Sequence, residues 1–384
     1  MKFALKTALA CSLFAIAGVV APEADAALLV GNTAANNVIL FDEITGTFLG
    51  DFIPAGSGGL SSPDALTFGP DGNLYISSGG DSGGNIFAPD YPQNSAVLKF
   101  SPSGQFLGVA ASGGGLIRPY GNAFGPDGSL FVSSFRTNQI LRYNPLTGAF
   151  LGVFASDNNN GLGSLNGLNG PNGLLFGPDG SLYVTTQGSA NTASGDLTFL
   201  YESQVLRYSP EQVAGLLSTE TPEVFIPQPT PLPETFGFVS FLGLALTPDQ
   251  QSLYISDFAG GIRQYSLAGQ LLKVLSTNYT GTSPSNNFIG SLTFGSGSTA
   301  NNLYAVGFDF ANNNIGSVLA FGNAEGNEFS FSGAAFTSGS LSRPIGVTAV
   351  AVPEPSTIAG LGLALGGLAA RRLRQQKSDK STNA

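Results

Sequence analysis

Apolar and β-branched residues run along this chain in short bursts, each broken by a turn rich in Gly, Pro, Asp or Asn. One burst–turn–burst phrase occurs three times: FGPDGNLYISS at 68–78, FGPDGSLFVSS at 124–134 and FGPDGSLYVTT at 176–186. Within it, Pro presets φ for the first turn position, Asp can accept from its own backbone, and Gly takes the positive φ. The phrase predicts a β-hairpin, with Asp71, Asp127 and Asp179 serving the turn.

Downstream of each copy, AVLKFSPSGQFLGVA (96–110), QILRYNPLTGAFLGVF (139–154) and QVLRYSP (204–210) supply further strands around a second turn. The unit is therefore four strands, and the turn aspartates recur at spacings of 56 and 52 residues. That period with that content indicates a β-propeller rather than a helical solenoid. Two weaker copies follow at 244–275 and 291–322. Residues 27–52 hold second, third and fourth strands without a first, and SRPIGVTAV (342–350) is a first strand with nothing after it. Pairing the two would close an all-β, six-bladed propeller and remove two open sheet edges. Two insertions interrupt the metre: an Asn/Gly-rich one at 156–170 and a Pro-rich one at 209–237, with a helical turn expected over 211–217.

The repeats resemble the NHL-repeat and SMP-30/gluconolactonase-like six-bladed propellers over nearly all of 27–350. The resemblance implies a ligand site where the innermost strands enter the central channel. Those entries are SSPDAL, IRPYGN, NGPNGL, VSFLGL, NFIGSL and SRPIGV, and their polar candidates are Asp64, Arg118, Tyr120, Asn122, Asn172 and Arg343. The alternative role for such Arg and Asn residues is to tie neighbouring blades together. Lactonase-like relatives bind a divalent cation here, which would make Asp64 and Asn172 the candidate calcium ligands. Tyr120 and Leu242 stand where that pattern expects an Asn and an Asp. Lys99, Arg142 and Arg207 share one position of the third strand, a basic row that could meet an acidic polysaccharide or be an ordinary solvated face.

Composition narrows the chemistry. The chain has no His, and its one Cys, Cys11, lies in the N-terminal segment. Histidine triads and zincin sites are excluded, and a resemblance to virginiamycin lyase, a relative that leans on a histidine, carries less than the lactonase resemblance. Residues 27–352 carry eight Lys and Arg against 21 Asp and Glu, a balance of −13 that disfavours nucleic acid as a partner.

The ends read as addresses. Lys2 and Lys6, an apolar run over 8–20 and Ala24-Asp25-Ala26 form a signal peptide over 1–26. At the other end, Val352, Pro353, Glu354, Pro355 and Ser356 precede an apolar run of about 14 residues, short of the roughly 20 that span a bilayer comfortably. Arg371 and Arg372 follow it, on the side expected to stay cytoplasmic. This order resembles the PEP-CTERM sorting tail, over 352–375, with a polar C-terminus over 376–384. The resemblance implies a short transmembrane-like helix, transient anchoring in the inner membrane, an exosortase-type protease as partner, and cells that make extracellular polysaccharide. Together these features predict a non-enzymatic binding or scaffold propeller of the cell surface or matrix. The alternative is a divergent calcium-dependent lactonase acting in the central channel.

Overall fold

The computed structural model describes residues 26–80, 94–157, 161–324, 328–336 and 341–351 of the 384. The signal segment before Ala26, the sorting motif and the expected C-terminal helix lie outside the described residues.

Six four-stranded antiparallel sheets are present. Blade 1 pairs Pro344–Ala351 with Ala26–Asn32, Asn37–Asp42 and Phe48–Ile53, so the C-terminal strand completes the N-terminal blade. Ala26 lies opposite Ala351 and Leu29 opposite Thr348. Blades 2 and 3 run from Pro63–Phe68 to Phe106–Ser112 and from Pro119–Phe124 to Phe150–Ser156. Blade 4 begins with Pro171–Phe176, blade 5 with Phe241–Leu246 and blade 6 with Asn287–Phe294. The first strand of every blade touches the first strands of both neighbours, which makes it the wall of a central channel.

The unbroken apolar runs have a simple cause. Six hydrophobic clusters fill the six wedges between adjacent blades. Side chains alternate along a strand, so Leu29 faces the wedge toward blade 2 while Leu28 and Val30 face the wedge toward blade 6. With both faces covered, alternation between apolar and polar residues is not needed.

The Pro-rich insertion is less of a loop than its sequence suggests. Pro210–Val213 is a short α-helix with a capping box between Ser209 and Gln212, and Glu223–Ile226 is the outer strand of blade 4. A second insertion, a hairpin of Ser189–Asn191 and Leu197–Phe199, separates the second and third strands of that blade. Its strands, of three residues each, are too short to give a signal.

The repeated Gly-Pro-Asp-Gly turn does more than reverse the chain. Gly72, Gly128 and Gly180 take positive φ and the aspartates accept from backbone N–H two residues on, as the turn chemistry requires. Each aspartate also pairs with the cation on the third strand of its own blade: Lys99 Nζ to Asp71 at 2.6 Å, Arg142 to Asp127 at 2.5 Å and Arg207 to Asp179 at 2.8 Å. The three cations lie over the rings of Tyr75, Phe131 and Tyr183. The basic row is thus neutralised blade by blade.

Candidate functional site

Every inner strand enters the channel through the same device. Its third residue is Gly121, Gly173, Gly243 or Gly346, with Ala65 in blade 2, and in blade 6 the glycine is the fourth residue, Gly290. A Cβ on Gly121 would stand 2.2 Å from the carbonyl oxygen of Asn172, and one on Gly173 2.4 Å from that of Leu242. The glycines let the inner strands press backbone to backbone. A bulge accompanies each close approach, and the N–H it frees donates to a hydroxyl of the second strand: Gly121 to Ser133, Gly173 to Thr185 and Gly243 to Ser256.

The bulge turns the preceding side chain toward the channel mouth, where Tyr120, Leu242 and Ile345 line a cavity of about 570 Å³. Two residues earlier, Ser62, Arg118, Gly170 and Arg343 all adopt left-handed φ, between 48° and 63°. Their N–H groups donate to the preceding blade: Ser62 to Asn36 Oδ1, Arg118 to Ser95 Oγ, Gly170 to Asn138 Oδ1 and Arg343 to the Asn314 carbonyl. Glycine is the residue this conformation favours, and blade 4 uses it. Blades 3 and 1 place arginines there, and both reach the cavity.

Arg118 is buried. Its guanidinium lies 2.8 Å from Asp64 Oδ2 and 4.5 Å from the centre of the Tyr120 ring. A Cβ on Gly79 would occupy almost the same place as Arg118 Nη1. Asp64 is 1 % exposed, and burial pushes its carboxyl up to about 6, against the opposing pull of Arg118, Arg343 and a hydrogen bond from Thr33. Arg343 is exposed at the rim and, among the described residues, makes no ion pair; its guanidinium sits 5.9 Å from the Phe308 ring.

The rest of the wall is aromatic. Phe135 and Phe258 follow the second strands of blades 3 and 5, Phe199 and Tyr201 come from the end of the blade 4 hairpin, and Phe238 directly follows the Pro-rich insertion. Phe258 stacks on Phe288 at 4.4 Å, and Phe288 on Phe310 at 4.5 Å. The Pro-rich insertion is held in place by Arg263, which donates to the Thr230 carbonyl, and by Gln228, which accepts from Ser203 N–H. Arg263 is itself fixed by Asp257 at 2.6 Å, both groups 1 % exposed. Sequence reading missed this pair and the aromatic wall. The available signal was a Phe directly after the second strand in blades 3, 5 and 6, at Phe135, Phe258 and Phe310.

Of the sequence candidates, the structure brings Asp64, Arg118, Tyr120 and Arg343 to this mouth. Asn122 does not line it: its amide donates to Ser77 Oγ at 2.9 Å and ties blade 3 to blade 2. Asn172 is also buried away from the cavity, its Nδ2 without a hydrogen-bond partner among the described residues. Calcium takes six to eight oxygens. Here the one carboxylate is claimed by a guanidinium, and the described residues contain no group of three or more acidic, His or Cys side chains placed to hold a metal. The mouth does not fit a calcium ion.

Comparison with known proteins agrees with the address and the fold. Residues 351–375 match the PEP-CTERM protein-sorting motif. A gluconolactonase of Zymomonas mobilis is 28% identical over 190 residues, which cover 48% of this chain and 46% of the relative. The chain thus matches about half the length of that curated relative. Among solved structures, the nidogen/laminin complex superposes with a TM-score of 0.55 at 17% identity, covering 86% of this chain and 99% of that one. Virginiamycin B lyase from Staphylococcus aureus gives 0.41 at 15% identity, over 84% and 79%. The chain is a six-bladed β-propeller similar to gluconolactonase, ending in a sorting motif that implies export, a surface or extracellular location and an exosortase as processing partner.

Proposed function

We propose that this protein is a binding propeller of the cell surface or extracellular polysaccharide matrix, working without catalysis through the mouth where the inner strands begin. One observation carries the reading. No Asp, Glu, His or Cys lines the cavity, and the nearest carboxylate, Asp64, is buried against Arg118. General acid–base chemistry needs a titratable group within reach of the substrate, and metal-assisted hydrolysis needs an open ligand set. The cavity offers no carboxylate, imidazole or thiol for the first and no ligand set for the second, its titratable side chains being the phenols of Tyr120 and Tyr201 and two arginines. A concave, mostly apolar pocket with a few fixed polar groups is what a binding site requires. The test is turnover by the full chain on gluconolactone and other aldonolactones, with and without calcium. Hydrolysis at the spontaneous rate is expected; a saturable rate above it overturns the proposal.

A second reading, a divergent calcium-dependent lactonase, is favoured by the similarity to gluconolactonase. Asn172→Ala decides it. Calcium binding and turnover both untouched by that change would end the lactonase reading.

A further inference from the structure

We infer that the cavity at the strand-start mouth binds a small organic anion, a carboxylate carried on a ring with an apolar face, and that Arg343 is its anchor. The inference rests on the reading of this mouth as the ligand site.

The argument begins with charge. Between residues 27 and 352 acidic side chains outnumber basic ones 21 to eight, yet the cavity is lined by two arginines and by no Asp or Glu. A site whose sign opposes that of the whole molecule selects for anions against the surrounding field. The two arginines are not equivalent. Arg118 is buried and committed to Asp64, whereas Arg343 is exposed, makes no ion pair among the described residues, and presents the planar donor fork that suits a carboxylate.

Backbone geometry bears on the same position, whose conformation Ser62 and Arg118 share in blades 2 and 3. The position before the inner strand demands a left-handed φ, glycine meets that demand in blade 4, and blade 1 nevertheless holds Arg343 at a φ of 48°. The fold does not need a side chain there.

The remaining wall defines the body of the ligand. Tyr120, Phe135, Phe199, Tyr201, Phe238 and Phe258 surround about 570 Å³, room for one or two rings but not for a folded partner. Aromatic faces take either an aromatic ring or the apolar face of a sugar ring. A free aromatic acid and the uronic-acid end of a glycan are thus two sources of one chemistry.

The experiment is equilibrium dialysis of the full chain in non-ionic detergent, with a micelle-only blank, against 2-naphthoate, neutral 2-naphthamide and trigalacturonate. At least one carboxylate is expected to bind about tenfold or more tightly than naphthamide. Tighter naphthoate points to a free aromatic acid; tighter trigalacturonate points to a glycan end. In Arg343→Gly and Arg343→Gln, affinity for the carboxylate falls by a similar factor, while the Gly variant melts no lower than wild type. If naphthamide matches the carboxylates, or both variants bind as wild type does, the anion preference is overturned and the mouth remains a ligand site. If none of the three probes binds, both the anion inference and the assignment of the mouth fail, whatever the outcome of the lactone assay.

Discussion

Two aspartate–cation arrangements in this protein look alike on paper and differ by their surroundings. Asp257 and Arg263 are both 1 % exposed, and Asp257 Oδ1 also accepts from the N–H groups of Ser240 and Ala259. Asp127 and Arg142 sit at the surface, 52% and 31% exposed. Breaking a buried pair leaves an uncompensated charge and costs about 3–5 kcal/mol, whereas exposed pairs are worth roughly 0–1 kcal/mol. Asp257→Asn should therefore lower the urea midpoint sharply and Asp127→Asn hardly at all. A small loss at Asp257 would mean that water reaches Arg263. Asp64 makes a pH prediction of definite sign. Its carboxyl is pushed up to about 6 in the fold, against about 3.9 in an unfolded chain. Below about pH 4 both states hold the proton and the contribution is full; as pH rises to 6 the unfolded chain releases its proton first, and on the order of 2–3 kcal/mol of stability is lost. Burial raises Asp257 in the same direction, whereas Asp71, Asp127 and Asp179 are lowered by their hydrogen bonds and cations and destabilise the fold only as pH falls below about 4. Unfolding in urea at pH 4.5 and 6.5 should show wild type losing more stability across that interval than Asp64→Asn does.

Among the elements, the inner strands carry the tightest constraint. A methyl group on Gly121 would lie 2.2 Å from the Asn172 carbonyl, a backbone atom that cannot rotate away. Gly121→Ala should cost about 1–3 kcal/mol or more, as overpacking of a rigid contact does. Ala65→Gly, at the equivalent place in blade 2, adds only backbone freedom and should cost under about 1 kcal/mol. Equal losses would mean that backbone entropy, rather than the close approach, governs this position. These strands also show what a sequence can reveal. Their place in the unit is legible because the Gly-Pro-Asp-Gly turn fixes where the first strand ends and the second begins. The outer strand of blade 4 is not legible, because Glu223–Ile226 lies well downstream of Tyr208 and lacks the FLG phrase of blades 1, 2 and 3. The pairing of the turn aspartates with the third-strand cations was within reach. Blades 1 and 6 lack both partners, with Leu40 and Ala320 at the cation position, and where Gln264 replaces the cation in blade 5, Asp249 turns to Thr247 instead. At the mouth, the sequence supplied Asp64, Arg118, Tyr120 and Arg343 because they precede or begin an inner strand. It withheld Phe199, Tyr201 and Phe238, which irregular insertions deliver to the cavity from outside the repeat.

The whole ring depends on a strand contributed from the far end of the chain. Pro344–Ala351 is at once the inner strand of blade 1, the partner of Ala26–Asn32 and a channel neighbour of the first strands of blades 2 and 6. A second clasp lies across the same junction, where Glu43, 1 % exposed, accepts from Ser296 N–H, Ser296 Oγ and Thr299 Oγ1 in blade 6. The clasp joins the strand ends remote from the mouth and cannot replace the inner strand, whose loss would open the Leu28–Val30 edge and uncover the wedges toward blades 2 and 6. The sorting motif match begins at residue 351, the last residue of that strand, so no spacer separates the closing strand from the segment directed to processing. Any cut that leaves a folded propeller must then fall after Ala351. A chain ending at 352 should melt within a degree or two of the full protein, and one ending at 341 should lose its cooperative transition and aggregate. Were the chain ending at 341 to melt cooperatively at the same temperature, the ring would be held by its blade-to-blade wedges alone, and the junction between the chain ends would be dispensable.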